Sequence, residues 1–413
     1  MIAIVGSGVA GLSAAEALRD LGYGGQLRVF GAEAEIPYER PTLSKSFLID
    51  QELAEPPALR SAAVLAEHGI TLELGTEVVA IQTKRQILVT ARGEAVRYEQ
   101  LLLATGAQPR RLELPQAYLK GIHYLRELAD ARGLRSALRP GTSVAIIGGG
   151  VIGLEVAASA IQLGATVTVI EVGPQLMGRV APEGFANLLE ELHRARGVAV
   201  RTAARPIGFE GSSGRVRGLA LAEGDIVPAD TVVVGVGAVP RTALAARAGL
   251  AVDDGIVVNK HFHSSDERIF AAGDAARVFH ADQGRHVRVE QWLPAQKQGR
   301  QAAACMLGAA EPYRDVPWMW SDQHDLHLQA TGFGFAEVEL VRRGDLDTRP
   351  GIAYLGIRGG RLVAACGVSI GTGVGKTIRA AQILIERGTR IDTDHLADPG
   401  LDLRRLANTA MPL

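Results

Sequence analysis

The sequence is poor in cysteine and carries almost no net charge. Its 413 residues include only Cys305 and Cys366, which lie far apart and outside any C-x-x-C motif. This pattern gives neither a dithiol redox motif nor a zinc site, so we expect two inert, buried thiols and no bound metal. The formal net charge of -1 gives no reason to expect nucleic acid or an anionic membrane as a partner.

Long hydrophobic runs are also missing. No apolar run approaches the roughly 20 residues that cross a bilayer, and the first residues, MIAIVGSG, contain no basic segment ahead of a predicted strand. We therefore expect a cytoplasmic protein. The hydrophobic content of 47% is that of a globular chain, and its length suffices for about two or three domains with cores of their own.

Glycine placement gives the first positive signal. Within residues 144–171, a short apolar strand is followed by Gly148, Gly150 and Gly153 in a G-x-G-x-x-G motif, and then by apolar positions at helical spacing. The first glycine allows a tight turn, the second lets the backbone approach a pyrophosphate, and the third lets the helix pack on the strand. Because the free N-H groups at the helix start attract an anion, this stretch predicts a dinucleotide site.

The acid that ends the next strand indicates which dinucleotide binds. A second strand is predicted at residues 166–170, and Glu171 follows it. A carboxylate here accepts hydrogen bonds from both hydroxyls of an adenosine ribose, but it repels a 2′-phosphate. The sequence therefore predicts NAD rather than NADP.

The same unit occurs earlier in the chain. A strand at residues 2–5 is followed by Gly6, Gly8 and Gly11, and then by a helix predicted at residues 12–21. The two copies align at the first and third glycines, which indicates an internal duplication. Two dinucleotide folds suggest two dinucleotides, and the economical pair is a tightly held FAD at the first copy with NAD visiting the second.

The first copy differs from the second at the ribose-binding acid. Its second strand, predicted at residues 27–30, ends on Gly31, so Glu33 is the nearest candidate. Three further strand-to-turn patterns follow the first copy at intervals, LLLATGA at residues 101–107, VVVGVGAVP at 232–240 and IFAAGDA at 269–275.

With these motifs the chain resembles the two-dinucleotide flavoproteins of the glutathione reductase superfamily. More narrowly, it resembles the ferredoxin reductases that serve bacterial oxygenase systems. Further segments carry this resemblance, namely PYERPTLSK at residues 37–45, YLR at 124–126, EQW at 290–292 and WSDQ at 320–323.

The resemblance implies an α/β fold with two Rossmann-like dinucleotide-binding domains, as in glutathione reductase, and a smaller α+β C-terminal domain. The implied FAD-binding domain comprises residues 1–108 and 238–310. The NAD-binding domain at 109–237 is inserted into it, and residues 311–413 form the C-terminal domain.

The resemblance also implies the cofactor contacts. Gly106 closes the FAD site, Arg126 touches the cofactor, Asp274 bonds its ribityl chain, and the backbone near Trp292 faces the flavin pyrimidine ring. The full set expected for FAD is Gly6, Gly8, Ala10, Gly11, Glu33, Arg40, Lys45, Thr105, Gly106, Arg126, Gly273, Asp274, Glu290, Gln291 and Trp292. The set expected for NAD is Gly148, Gly150, Val151, Ile152, Gly153, Glu171, Arg179, Gly235 and Gly237.

Lys45 is the most informative single residue. In related flavoproteins that reduce peroxide, oxygen or coenzyme A disulfides, the corresponding segment presents a redox-active cysteine. With Lys45 in that position, electrons would leave from the flavin itself. The family loop usually reads R-P-P-L-S-K, and Thr42 replaces its second proline here, which loosens the loop without removing a functional group.

Two further residues are expected to be catalytic. Glu155 is predicted in the first turn of the helix after Gly150, where it could simply complement the helix dipole. The resemblance implies instead that Glu155 pairs with Lys45 beside the flavin and holds a cation near the N5 edge, where negative charge develops. The resemblance further implies that Trp320 lies against the flavin, although an aromatic residue there could equally pack in the core.

Together these residues predict an oxidoreductase that takes hydride from NADH on FAD and passes electrons singly to a [2Fe-2S] ferredoxin. That ferredoxin would dock transiently and feed an oxygenase, either a ring-hydroxylating dioxygenase or a cytochrome P450. One alternative is a rubredoxin or monodehydroascorbate-type reductase, and another is a redox-regulated flavoprotein binding module. Whether the protein is a monomer or a homodimer stays open.

Overall fold

The computed structural model of the chain describes residues 1–347, 351–371, 373–391 and 393–409. The predicted C-terminal domain, residues 311–413, therefore includes some residues outside the described ranges. The strands, numbered in chain order, are β1 Ile2–Val5, β2 Leu27–Phe30, β3 Ile70–Glu73, β4 Val78–Gln82, β5 Ile87–Thr90, β6 Ala95–Arg97, β7 Gln100–Leu103, β8 Ala107–Pro109, β9 Ile122–Tyr124, β10 Ser143–Ile147, β11 Thr166–Ile170, β12 Ala199–Arg201, β13 Pro206–Ser212, β14 Arg215–Leu221, β15 Ile226–Pro228, β16 Thr231–Val234, β17 Ala238–Pro240, β18 Ile256–Val258, β19 Ile269–Ala271, β20 Ala276–His280, β21 Arg285–Val287, β22 Trp318–Gln323, β23 Leu326–Gly332, β24 Glu339–Arg343, β25 Ile352–Arg358 and β26 Arg361–Ile370. The α-helices are α1 Val9–Asp20, α2 Ser46–Ile49, α3 Ala62–Glu67, α4 Leu128–Ala137, α5 Val151–Gln162, α6 Glu183–Ala195, α7 Ala243–Arg247, α8 Trp292–Met306, α9 Gly375–Arg387, α10 Thr393–Ala397 and α11 Leu403–Thr409.

The chain divides into two compact units. Unit 1 comprises Met1–Glu39, Pro56–Gln108 and Ala238–Pro317. Unit 2 comprises Arg40–Glu55, Pro109–Gly237 and Trp318–Leu413. The short segment that carries Lys45 therefore belongs to the same unit as the predicted NAD-binding residues and the C-terminal residues.

Unit 1 is organised around a five-stranded parallel sheet with the strand order β3-β2-β1-β7-β19. Helix α1 follows the central strand β1 and packs closely against α8. Gly299 makes this approach possible, because a Cβ atom at that position would overlap the carbonyl oxygen of Ala10. The apolar side chains of these strands and helices form one buried core.

Unit 2 contains a second five-stranded parallel sheet, with the order β12-β11-β10-β16-β9. Helix α5 follows the central strand β10, as α1 follows β1. The first glycine of each motif donates its N-H to the end of the neighbouring strand, Gly6 to Phe30 O and Gly148 to Ile170 O, both at 2.8 Å. The structure thus repeats the unit that the two glycine motifs predict.

The prediction that the first helix begins at residue 12 is wrong. Helix α1 begins at Val9, directly after Gly8, and α5 begins at Val151, directly after Gly150. Because the helix follows the second glycine, the third glycine lies inside its first turn. The helix can therefore pack on the strand from its first residues onward.

The C-terminal part of unit 2 is an antiparallel sheet with the order β22-β23-β26-β25-β24, accompanied by α9, α10 and α11. The expected α/β fold with a smaller α+β C-terminal domain is therefore confirmed. Apolar residues of β23, β25 and β26 share one buried core with those of α5, β10 and β11. This shared core joins the C-terminal sheet to the second parallel sheet. No helix in the described ranges is long and apolar enough to cross a membrane.

The hairpin of β22 and β23 is fixed to helix α6 by a strained turn. His324 and Asp325 form the turn, and His324 has a left-handed φ of 56°. Asp325 forms an ion pair with Arg196 at 2.6 Å, and the ring of His324 packs edge to face on that of His193, with centroids 5.1 Å apart. Burial, followed by the proximity of His193 and Arg196, lowers the pKa of His324 from 6.5 to about 4.

We expect the substitution His324→Gly to raise the melting temperature more at pH 5 than at pH 8. Between pH 6.5 and about 4, the unfolded chain binds a proton that the folded chain rejects, so His324 lowers the free energy of unfolding as the pH falls. Glycine removes this titration and also fits the left-handed backbone. Thermal unfolding should show an extra stabilisation of roughly 2–4 °C at the lower pH.

Gln116→Gly provides the control, because Gln116 also has a left-handed φ, of 63°, but no titratable group. Its effect on the melting temperature should be the same at both pH values. Equal effects of His324→Gly at pH 5 and pH 8 would contradict a half-buried His324 that stays neutral in the folded chain at pH 5.

Candidate dinucleotide-binding and redox site

The turn between β10 and α5 has the shape and the donors that a diphosphate requires. Gly148 has a left-handed φ of 108°, and a Cβ atom there would come within 2.5 Å of Gly235 O. No side chain caps the helix at Gly150, and a Cβ atom at that position would meet only open space. The N-H groups at the start of α5, which include those of Val151 and Ile152, therefore face room for an anion.

The carboxylate of Glu171 stands over this turn. Its Oε2 accepts the N-H of Gly149 and its Oε1 accepts the N-H of Gly173, both at 2.7 Å. A carboxylate offers about four lone-pair positions, so two acceptor positions are left for the hydroxyls of a ribose. Glu171 thus holds the turn in shape and keeps acceptors for the ligand.

The other predicted NAD residues line the neighbouring strand end. Gly235 continues β16 and donates its N-H to Ile147 O at 2.8 Å. Gly237 has a left-handed φ, and the exposed guanidinium of Arg179 lies 3.5 Å from where its Cβ would be. Arg179 is therefore placed on the same side of unit 2 as the strand ends that carry these two glycines.

Unit 1 repeats the phosphate-binding arrangement. No side chain caps α1 at Gly8, which also faces open space. Cβ atoms at Gly6 and Gly11 would overlap Ala104 O and Gly6 O, so both positions require glycine. Glu33 accepts a hydrogen bond from Tyr38 Oη at 2.5 Å, which holds its carboxylate close to the end of β2.

The remaining residues of unit 1 that are predicted to bind FAD lie at strand ends and helix starts. Thr105 Oγ1 donates to Arg241 O at 2.8 Å, and Arg241 N donates to Gly106 O at 2.9 Å, which fixes the turn after β7. The short 3-10 turn Gly273–Ala275, which contains Asp274, follows β19. Buried Gln298 accepts the N-H of Gly273 at 2.9 Å.

Helix α8 begins beside these turns. Gln291 precedes its first residue, Trp292, and does not cap the helix through its side chain. The Oε1 atom of Gln291 is buried and has no hydrogen-bond partner among the described residues. Such an orphan acceptor is rare in a folded protein and fits a donor group on a bound ligand. Glu290 forms an ion pair with Arg288.

Lys45 and Glu155 form an ion pair in unit 2. The Nζ atom of Lys45 lies 2.8 Å from Glu155 Oε2, and the exposed fractions of the two side chains are 18% and 2%. Two hydroxyls also donate to this carboxylate, Ser44 Oγ to Oε2 and Ser321 Oγ to Oε1, the latter at 2.7 Å. Three donors thus satisfy a nearly inaccessible carboxylate, which offsets the cost of burying it.

The prediction that Glu155 lies in the first helical turn is wrong. Helix α5 begins at Val151, and its first turn contains no acid. Glu155 points into the protein interior, so it is not a solvent-exposed partner of the helix dipole.

Three further predicted site residues belong to unit 2. Arg40 donates to the carbonyl oxygen of Arg126 at 2.7 Å, which brings two expected FAD contacts together. Trp320 lies on β22 and stacks on Trp318, with ring centroids 5.6 Å apart and planes at 23°. Ser321, the next residue on that strand, reaches Glu155.

The two cysteines are poorly suited to redox chemistry. Burial raises the pKa of the Cys305 thiol to about 11 and raises that of the fully buried Cys366 thiol as well. Both stay protonated at neutral pH, whereas a reactive cysteine needs its thiolate. Neither cysteine forms a disulfide, and no group of three or more metal-ligating side chains comes together in the described part of the chain.

Sequence reasoning missed the polar residues that support Glu155, namely Ser44, Ser321, Gln323 and His193. One signal was available in WSDQ, because alternate residues of a strand face opposite sides. Ser321 and Gln323 share one face of β22 and are fully buried, while Trp318 and Trp320 share the other. Two polar residues on a buried face call for polar partners.

Comparison with known proteins agrees with this arrangement. The chain is 42% identical over 402 residues to the ferredoxin-NAD(+) reductase component of the anthranilate 1,2-dioxygenase system of Burkholderia cepacia, and the match covers 97% of this chain and 98% of that one. It is 39% identical over 331 residues to a rubredoxin-NAD(+) reductase of Pseudomonas putida, covering 80% and 86%.

A solved structure is also similar to this chain. The crystal structure of the covalent putidaredoxin reductase-putidaredoxin complex contains a chain that superposes with a TM-score of 0.93 at 34% identity, covering 99% of this chain and 98% of that one. Residues 318–407 match the reductase C-terminal family, and residues 1–299 match a larger family. The chain belongs to that larger family, the pyridine nucleotide-disulphide oxidoreductases, and it is an oxidoreductase.

Proposed function

We propose that this protein is an FAD-dependent NADH:ferredoxin oxidoreductase that supplies electrons to an oxygenase. The observation that carries the proposal is the pairing of two uncapped phosphate-binding turns with Lys45 in place of a redox cysteine. When bound, FAD would take hydride from NADH and release the two electrons one at a time. This splitting is needed because NADH gives electrons in pairs and a ferredoxin accepts one.

Unit 1 supplies the residues for FAD. The N-H groups at the start of α1 would hold its diphosphate, and Glu33 would accept hydrogen bonds from its ribose. Gly106, Asp274 and the start of α8 would bind the rest of the cofactor, where the orphan Oε1 of Gln291 is available as an acceptor. On the basis of the family resemblance, Arg40 and Arg126 would add cationic contacts to the cofactor.

Unit 2 supplies the residues for NADH. The start of α5 would bind the diphosphate, Glu171 the adenosine ribose, and Arg179 an anionic part of the coenzyme. Glu171 would disfavour the 2′-phosphate of NADPH, because its half-buried carboxylate repels that anion.

The Lys45–Glu155 pair supplies a fixed cation. Glu155 anchors the ammonium of Lys45, which would stabilise negative charge as it develops on the reduced cofactor. Trp320 would provide an apolar surface for the same ring system. Because this chain has no thiol in that position, its residues provide orientation and electrostatics rather than a second redox centre.

The partner is proposed to be a small [2Fe-2S] ferredoxin that binds transiently in the cytoplasm. Several relatives carry a ferredoxin reductase name, and the solved complex joins a related reductase to putidaredoxin. A rubredoxin is the second candidate, supported by the 39% identity to a rubredoxin-NAD(+) reductase.

NADH consumption by the flavin-loaded protein tests the acceptor. We expect a slow rate in air that rises at least about tenfold when an oxidised [2Fe-2S] ferredoxin is added, together with bleaching of the ferredoxin absorbance. A comparable rise only with rubredoxin would support the second candidate. No response to either carrier would overturn both assignments.

Coenzyme choice is tested with Glu171→Ala. Loss of the carboxylate removes the acceptor for the ribose hydroxyls and the repulsion of a 2′-phosphate, so we expect the ratio of kcat/KM for NADH to that for NADPH to fall about tenfold or more. Glu183→Ala, which removes an exposed acid from α6, should leave the ratio unchanged. An unaltered ratio in Glu171→Ala would contradict the role of Glu171.

A further inference from the structure

A chain of buried hydrogen bonds continues from Glu155 into the C-terminal sheet and on to helix α6. Ser321 Oγ lies 2.7 Å from Glu155 Oε1, and Gln323 Nε2 lies 3.0 Å from Ser321 Oγ. Gln323 Oε1 lies 2.8 Å from His193 Nε2. The exposed fractions of Ser321, Gln323 and His193 are all 0%, so water does not compete for these bonds.

The direction of each hydrogen bond in this series is determined by which atoms can donate and which can only accept. The amide nitrogen of Gln323 can only donate, so Ser321 Oγ accepts from it and directs its single hydrogen to Glu155. Gln323 Oε1 can only accept, so His193 must carry its hydrogen on Nε2. Every hydrogen in the chain therefore points toward the carboxylate.

The opposite amide orientation is less favourable. It would turn the hydrogen of Ser321 away from Glu155 and force the hydrogen of His193 onto Nδ1. His193 Nδ1 is buried and has no hydrogen-bond partner in the described ranges. An unpaired N-H donor there is costlier than an unpaired lone pair. The first orientation avoids both defects, and burial lowers the pKa of His193, which favours its neutral form.

On the basis of the proposed function, we infer that Ser321, Gln323 and His193 are positioning residues for the Lys45–Glu155 pair. They orient the Glu155 carboxylate and supply one of its three donors. Ser44 supplies a second donor, and Ser159 Oγ donates to Ser44 O at 2.7 Å, which fixes it in turn. Because hydrogen bonds fix both oxygens of Glu155, the ammonium of Lys45 has one preferred position beside the carboxylate.

Two variants interrupt this series of hydrogen bonds at different points. Ser321→Ala removes the donor to Glu155 but leaves the bond between Gln323 and His193. Gln323→Met, which is similar in volume, removes both the donor to Ser321 and the acceptor for His193. Loss of one hydrogen bond to a buried charge corresponds to roughly tenfold or more, so Ser321→Ala should lower the limiting rate of flavin reduction by NADH about tenfold. Gln323→Met keeps the Ser321 hydroxyl but no longer orients it, so it should lower the same rate by a smaller factor. The dissociation constant for NADH should not change.

Nuclear magnetic resonance of the FAD-loaded protein gives readouts that do not depend on activity. With 15N-labelled histidine, His193 should show the Nε2-H tautomer in the wild type and in Ser321→Ala. In Gln323→Met this hydrogen loses its acceptor, so its proton resonance should move upfield. With 15N-labelled lysine, the ammonium signal of Lys45, assigned by its absence in Lys45→Met, should be sharp in the wild type and broadened by faster exchange in both variants.

Matched controls come from buried residues of the same unit that are not connected to Glu155. Gln382 is 1% exposed and accepts a hydrogen bond from Arg379, and Ser369 is 3% exposed and donates to Gly371 O at 2.6 Å. Gln382→Met and Ser369→Ala should leave the rate of flavin reduction and the Lys45 signal unchanged.

Three results would overturn the inference. These are an Nδ1-H tautomer of His193 in the wild type, a wild-type Lys45 signal in Ser321→Ala, and wild-type rates of flavin reduction in both folded variants. If Gln323→Met does not fold, the smaller change Ser321→Ala still tests the inference. None of these measurements involves the acceptor, so a failure of the ferredoxin assignment would be seen separately.

Discussion

A single buried carboxylate constrains the functional part of unit 2. Glu155 is 2% exposed, and a charge so far from water is tolerated only if donors surround it. Its donors come from the loop that carries Ser44 and Lys45 and from strand β22, which carries Ser321. These segments must therefore meet at one point, which ties the short Arg40–Glu55 segment and the C-terminal sheet to helix α5.

The two parallel sheets each supply a turn that can bind a diphosphate, which the Glu155 carboxylate cannot do. In each, a glycine turn after the central strand leaves the start of a 12-residue helix uncapped, so a diphosphate can bind to backbone N-H groups. In the proposed function, Glu171 would select the coenzyme by accepting hydrogen bonds from its ribose, and the same carboxylate holds the N-H groups of Gly149 and Gly173. Binding and chemistry would thus be assigned to different residues in the proposed function. The turns would hold the dinucleotides, and the Lys45–Glu155 pair would provide the charge.

Local motifs made the fold and the binding turns predictable from the sequence. The spacing of Gly148, Gly150 and Gly153 has a steric cause within a few residues, and family resemblance supplied the pairing of Lys45 with Glu155. The support for Glu155 was not predictable in this way. Gln323 bonds His193 across 130 positions and Ser321 bonds Glu155 across 166, so only the packing of β22 on α5 and α6 shows which polar residues meet.

The central claim is that a cation fixed by Glu155 promotes reduction of the bound flavin. Rapid mixing of NADH with FAD-loaded Lys45→Met protein tests it most directly, with Lys120→Met, a change at an exposed lysine, as the control. The account predicts that the variant keeps its FAD while flavin reduction slows at least about tenfold, and that its melting temperature falls because the buried Glu155 loses one of its three donors. Reduction at the wild-type rate would contradict the account and leave Lys45 with a purely structural role.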